Sequence, residues 1–280
     1  MLILNRCFVA RVLTGLLMFA MFAFCGVGVR AQALEKITPV VLSVQDAPVP
    51  FLGSDGRTHL VYELWMTNFS SADVSVEKVD VLGDGNFVQS FDAAAITERL
   101  QPAGQRESVG KLGGKLAAST QALLFLRVTL APGPAVPTRL SHRITIHANA
   151  APRGEQDLTE SGGEVAVSRR AVALIGAPLS GEGYVSADSC CDASRHTRAA
   201  LPINGRVWVA QRYAVDWEQL DTRGCIYNGP REKLESYTIF GKPVLAVADA
   251  VVVSVTDGLP EQTPGKYRSI FRWMRLMETA

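Results

Sequence analysis

The chain has 280 residues, of which 48% are apolar and 20% charged, with a formal net charge of +1. That length is enough for one large core or two smaller ones, and the composition is globular rather than disordered. A balance so close to neutral argues against a nucleic-acid partner, which selects a basic excess on one face.

Taken in chain order, the first element is a targeting segment. Arg6 and Arg11 stand beside and ahead of the apolar run LTGLLMFAMFAFCGVGV, which ends at Ala31-Gln32-Ala33. A basic start, a short apolar stretch and an A-x-A site are the marks of a cleaved secretory signal. The run is shorter than the roughly 20 residues a membrane helix needs. Residues 1–33 therefore read as a signal peptide, with a periplasmic or secreted product and no stable membrane span after cleavage. Phe24 is too bulky for the residue that precedes a lipidated cysteine, so Cys25 does not mark a lipoprotein.

Residues 34–150 read as strands. In HLVYELWMTNFS, Leu60, Tyr62, Leu64 and Met66 fall on one face and Val61, Glu63, Trp65 and Thr67 on the other. VSVEKVDVL, ALLFLRVTLA and HRITIHA repeat the alternation, and turn signals separate them at Gly53–Gly56, Ser70–Asp73, Gly83–Asn86 and Pro132–Pro134. Short strands at this spacing predict a β-sandwich. One helix is expected at DAAAITERL with Asp92 as its N-cap. His142 and His147 are an odd number of residues apart, so they face opposite sides of a strand and cannot share a metal. Both are expected at the surface.

Residues 151–183 read as a linker that ends in a short apolar strand, AVALIGAPL. From Tyr184 the character changes. This region holds Cys190, Cys191 and Cys225, an odd number of thiols in an exported chain. One disulfide from Cys225 to Cys190 or to Cys191 is expected, because adjacent cysteines bond each other only with strain.

RVWVAQRYAVDWEQLD places Val207, Val209, Tyr213, Val215 and Trp217 on one strand face, and Trp208, Ala210, Arg212, Ala214 and Asp216 on the other. A carboxylate in an apolar run needs a partner, since burying it alone costs several kcal/mol, of order 2–7 even for a neutral polar group. Arg212 lies about 13 Å away along a straight strand, too far for contact. The ordinary partner is a lysine or arginine on the neighbouring strand, and the sharper one is a metal ion. His196 is the histidine of this region. Its plain reading is a surface residue between Arg195 and Arg198, and its chemical reading is a metal ligand alongside Asp216. FGKPVLAVADAVVVSVTDG follows and reads as a buried strand pair.

RVWVAQRYAVDW, followed by GKPVLAVADAVV and GLPEQTPG, resembles the lysostaphin-type zinc endopeptidases of bacterial cell walls, metallopeptidase family twenty-three. The resemblance covers roughly residues 190–265. It implies an all-β peptidase core, a zinc cofactor, peptidoglycan as the partner and Asp216 as the ligand aspartate. The family pattern has histidine four residues before that aspartate, where this chain has Arg212, and a glycine where it has Ala214. Arginine stays protonated and cannot ligate zinc, which leaves His196 as the substitute. The family's His-x-His is also missing, because His196 is the last histidine of the sequence.

The end of the chain, RSIFRWMRLMETA, does not continue a β pattern. A reading frame shifted near Tyr267 or Arg268 would turn it into an acidic loop. The expectation is thus an all-β exported protein: an N-terminal β-sandwich (34–150), a linker (151–183), an incomplete β-sheet metallopeptidase domain (184–267) and an aberrant tail (268–280). Two metal ligands, His196 and Asp216, hold zinc poorly and leave no catalytic histidine, so the chain is expected to be an inactive relative of a peptidoglycan hydrolase. The alternative class is a non-catalytic binding or regulatory module of the envelope.

Overall fold

The computed structural model describes residues 37–105, 113–133, 135–189 and 196–266. The expected signal segment 1–33, Cys190, Cys191 and the tail 268–280 lie outside the described residues.

The strands follow the alternation of the sequence. In chain order they are β1 (Val40–Ser43), β2 (Phe51–Leu52), β3 (Thr58–Asn68), β4 (Val74–Gly83) and β5 (Asn86–Asp92). Helix α1 (Ala93–Arg99) comes next, then β6 (Leu100–Pro102), β7 (Lys115–Leu116), β8 (Gln121–Thr129), β9 (Arg139–Ala148) and β10 (Asp157–Ala166). Four shorter strands complete the set: β11 (Tyr184–Ser189), β12 (Ala200–Ile203), β13 (Arg206–Val209) and β14 (Val215–Gln219). The protein is all-β with antiparallel pairing throughout. α1 starts where expected, with the Asp92 carboxylate accepting from the Ala95 N–H at 2.9 Å.

Two five-stranded sheets form the body, one ordered β1-β3-β8-β6 with β2 on β3, the other β10-β9-β4-β5 with β7 on β4. Leu60, Tyr62, Leu64, Leu124 and Leu126 from the first sheet join Val74, Val79, Val81, Ile144 and Ile146 from the second in a single buried cluster. Each of these side chains removes apolar surface from water worth roughly 1.5–3 kcal/mol. The β4–β5 connection is a two-residue turn with Asp84 and Gly85 at φ 48° and 83°, the backbone that a hairpin of this twist requires.

The second sheet extends past residue 150, into the stretch read as linker: β10 is its edge strand, paired with β9 from Asp157↔His147 onward. A bulge at Gly162–Val165 interrupts its pattern. Gly163 has φ 63°, and a Cβ there would stand 2.9 Å from both His142 and Leu64.

His142 is fully buried, against the expectation of a surface residue. It lies on the inner face of β9, with His147 on the outer face as the spacing implied. Its Nδ1 donates to the Gly163 carbonyl at 3.1 Å and its Nε2 accepts from the Tyr62 hydroxyl at 2.9 Å. Burial pushes its pKa down to about 4, so the ring is neutral in the fold. His147 pairs with Asp157 at 2.7 Å on the outer surface.

Three expected strands are absent. AVALIGAPL has no strand pairing, and Leu174 and Ile175 are exposed. The expected buried pair in GKPVLAVADAVVVSV is an exposed extended stretch, with Val251 85% and Val253 94% accessible. Two hydrogen bonds join these segments, Gly176 N–H to the Val247 carbonyl and Leu245 N–H to the Pro178 carbonyl, both 2.7 Å. Among the described residues no further strand covers either side, so the valine-rich run has propensity without a partner. No described helix is long and apolar enough to cross a membrane.

Candidate metal centre

The outer face of the first sheet carries the site. Trp65, Leu123 and Phe125 point away from the main core and are nonetheless buried, because Ala200 of β12 and Val207 of β13 pack on them. β12 and β13 form a hairpin joined by Asn204-Gly205, with φ 50° and 76°. Asn-Gly between two apolar runs is the strongest short hairpin signal. Residues 206–217, expected as one continuous strand, follow this turn.

That strand is two. β13 ends at Val209, a turn occupies 210–213, and β14 starts at Val215 in a different sheet, paired with β11. The faces drawn across the whole stretch therefore do not exist. Arg212 does not extend along a strand toward Asp216. From the turn it reaches the body, where its Nε donates to Glu63 Oε1 at 3.0 Å and its Nη2 to Glu63 Oε2. Glu63 is 5% exposed and Arg212 19%. Burial pushes the Glu63 carboxyl up, and the Arg212 guanidinium pulls it back down. Tyr213 next to it stacks edge-on against Phe51, with ring centres 5.9 Å apart. Further ties run from Arg198 to the Glu98 carbonyl at the end of α1 and from Arg206 to Asp46.

His196 opens the segment that lies on this face. It is 7% exposed, followed by Thr197 at 1% and Ala199 at 0%, and so is not the surface histidine its arginine neighbours suggested. Its Nδ1 is 3.2 Å from Gln211 Oε1, in the same turn as Arg212. With the amide oxygen accepting from Nδ1, Nε2 is the ring nitrogen left for a second contact. That Nε2 sits 2.9 Å from Asp216 Oδ1. It is nonetheless buried without a hydrogen bond, because no N–H is directed at the carboxylate.

The residue directly across the ladder from Asp216 is Asp188. The place directly across the ladder thus carries a second carboxylate, and each of the two aspartates has a further partner. The register explains how. Tyr184, Val185 and Ser186 pair with Gln219, Glu218 and Trp217, and then one residue is skipped so that Asp188, rather than Ala187, faces Asp216. Ligand atoms of Asp188, His196 and Asp216 all lie within 4.8 Å of one another. Nothing in the local pattern of Tyr184–Ser189 announces this; the bulge creates it.

Cys225 lies on an exposed loop. Its expected disulfide partners, Cys190 and Cys191, lie outside the described residues. A second grouping, Glu77, His147 and Asp157, sits on the outer surface of the second sheet with both carboxylates exposed. Comparison with family models and with curated proteins returned no match to this sequence.

Proposed function

We propose that this is an exported zinc-binding protein of the lysostaphin-type peptidase class, directed at the peptides of peptidoglycan and acting by binding rather than by turnover. One observation carries the reading: His196 is 7% exposed, its Nε2 lies 2.9 Å from Asp216 Oδ1 outside hydrogen-bond geometry, and ligand atoms of Asp188, His196 and Asp216 lie within 4.8 Å of one another. Imidazole nitrogen and carboxylate oxygen are both good zinc ligands. Gln211 on the far ring nitrogen is the kind of outer partner that fixes a ligand histidine. The signal-like segment 1–33 supports export, and the resemblance over residues 206–217 and 241–265 supports the substrate class.

A zinc ion at this place would polarise a peptide carbonyl and activate water. Turnover also needs a group to move protons and steady the oxyanion. The other three histidines are engaged elsewhere: His59 with Asp55 and Thr129, His142 with Tyr62, His147 with Asp157. No second imidazole reaches the cluster among the described residues.

Calorimetric titration of the metal-free mature protein with zinc should give one equivalent bound, abolished by His196→Ala and by Asp216→Ala. Zinc-loaded protein should co-sediment with purified peptidoglycan and release no new amino termini. A protein that binds no zinc overturns the reading. New amino termini that depend on zinc would make the protein an enzyme.

A further inference from the structure

We infer that a cleft beside β2 binds a single-chain aliphatic carboxylate, the chain lying between two apolar segments and the acid held by Arg170 and the Tyr213 hydroxyl. The inference is independent of the metal reading above, and nothing in the resemblance points to this place.

Three observations converge. First, two segments of the chain leave a gap between them. The Ser168 N–H donates to the Pro48 carbonyl at 2.8 Å. Beyond that bond no backbone hydrogen bond joins residues 49–52 to residues 169–174, and both segments line a cleft of about 920 Å³. The Gly176 N–H, bonded to the Val247 carbonyl, anchors the far end of the second segment. The volume suits one small molecule, since ligand pockets run to roughly 300–1,000 Å³.

Second, the lining is apolar and uncovered. Phe51 and Leu52 come from one segment, Val172 and Leu174 from the other. Leu52 is 74% exposed and Leu174 93%. Tyr213 lines the cleft as well, with its ring edge-on to Phe51. A concave apolar surface of this kind gains by exchanging water for a hydrocarbon chain.

Third, the polar side chains of the cleft are a cation and a hydroxyl. Among the described residues, Arg170 has no ion-pair partner and the Tyr213 hydroxyl makes no hydrogen bond. The acids of this corner are already engaged, Glu63 with Arg212 and Asp46 with Arg206. A guanidinium without a carboxylate is a fork that takes one through two parallel N–H···O bonds.

The same features set other ligands aside. A peptide adding as a strand at β2 needs backbone donors in register, and Pro50 in that edge has no N–H. A doubly charged phosphate calls for more than one cation, and Arg170 is the single cationic residue lining the cleft. One apolar channel with one guanidinium matches one chain with one negative charge.

Decanoate is the probe, kept below the concentration at which it forms micelles. Calorimetric titration of the mature protein should show one equivalent bound. Arg170→Ala should weaken binding by about tenfold or more, the loss expected for a charge-assisted hydrogen bond. Leu174→Asp, which sets a like charge in the lining at an exposed position, should abolish it. Decylammonium, with the same chain and the opposite charge, should bind at least about tenfold more weakly than decanoate. Butyrate, with the same head and too little chain, should not bind. Circular dichroism should show both variants folded, because neither substituted residue is buried. Equal binding of decanoate and decylammonium, or Arg170→Ala binding decanoate like wild type, overturns the assignment of the acid to Arg170. Decyl phosphate binding more tightly than decanoate overturns the carboxylate. A wild-type protein that binds no decanoate overturns the inference as a whole, while zinc titration of the same sample tests the metal reading separately.

Discussion

Two regions of this protein are both rich in β-branched residues and have opposite fates. In β4, Val79 and Val81 are fully buried; in the stretch 244–255, Val251, Val252, Val253 and Val255 are each at least 78% exposed. Local propensity does not separate them, and pairing does. β4 has a strand on each side and a facing sheet, whereas the later run makes two hydrogen bonds to residues 176–178 and has no facing layer among the described residues. A strand is stabilised by what packs on it, not by its own sequence.

The largest test of this contrast is truncation of like side chains in the two regions. Leu124→Ala, at a fully buried core position, should cost about 2–5 kcal/mol, seen as a fall in the denaturant midpoint. Val253→Ala should change stability by less than about 0.5 kcal/mol. Equal losses would mean that the run 244–255 is covered in solution.

Acid should weaken the two-sheet body specifically. Burial lowers the His142 pKa to about 4 from its ordinary 6.5. Between those values the unfolded chain takes up a proton that the fold refuses. Its contribution is therefore complete above about pH 6.5 and is lost as pH falls toward 4, a change of about 3 kcal/mol. Urea denaturation at several pH values checks this, and His142→Gln should flatten the dependence in that window.

A smaller effect is expected at the Glu63–Arg212 pair, where the turn at 210–213 meets β3. Glu63→Ala leaves the Arg212 guanidinium facing the body without its carboxylate. Because Arg212 retains 19% exposure, the cost should fall below the 3–5 kcal/mol of a fully buried broken pair, to about 2 kcal/mol. Zinc affinity should fall as well, since Arg212 and the His196-binding Gln211 share a turn. Calorimetry on this variant reads both effects. A loss of stability with unchanged zinc affinity would show that the turn does not position the histidine.

The body was largely legible from the sequence. β3, β8 and β9 show period-two alternation, and α1 shows its cap at Asp92. β10 was not, because Gly162-Gly163 and its polar residues look like a loop; it is a strand only by virtue of β9 beside it. In the site, chemistry was a better guide than pattern. Asp216 in an apolar run demanded a partner, and that demand led to His196. Asp188 was invisible because a one-residue bulge determines which way it points. Arg212 was misplaced because its partner Glu63 is 149 residues away, beyond the reach of any local rule. The exposed valines show the opposite failure, in which a strong local pattern met no tertiary partner.

β3 has no free side. Leu60, Tyr62 and Leu64 face the main core, while Glu63 and Trp65 are covered by residues that come more than a hundred positions later. The protein therefore cannot be dissected where its loops suggest. A fragment ending near residue 168 would retain both sheets yet bare Trp65, Leu123, Phe125 and an unneutralised Glu63 along one wall, a sticky surface prone to self-association. Conversely, a single proteolytic nick in the exposed stretch 169–183 should leave the two pieces travelling together through a sizing column, held by packing and by the Glu63–Arg212 pair rather than by the backbone.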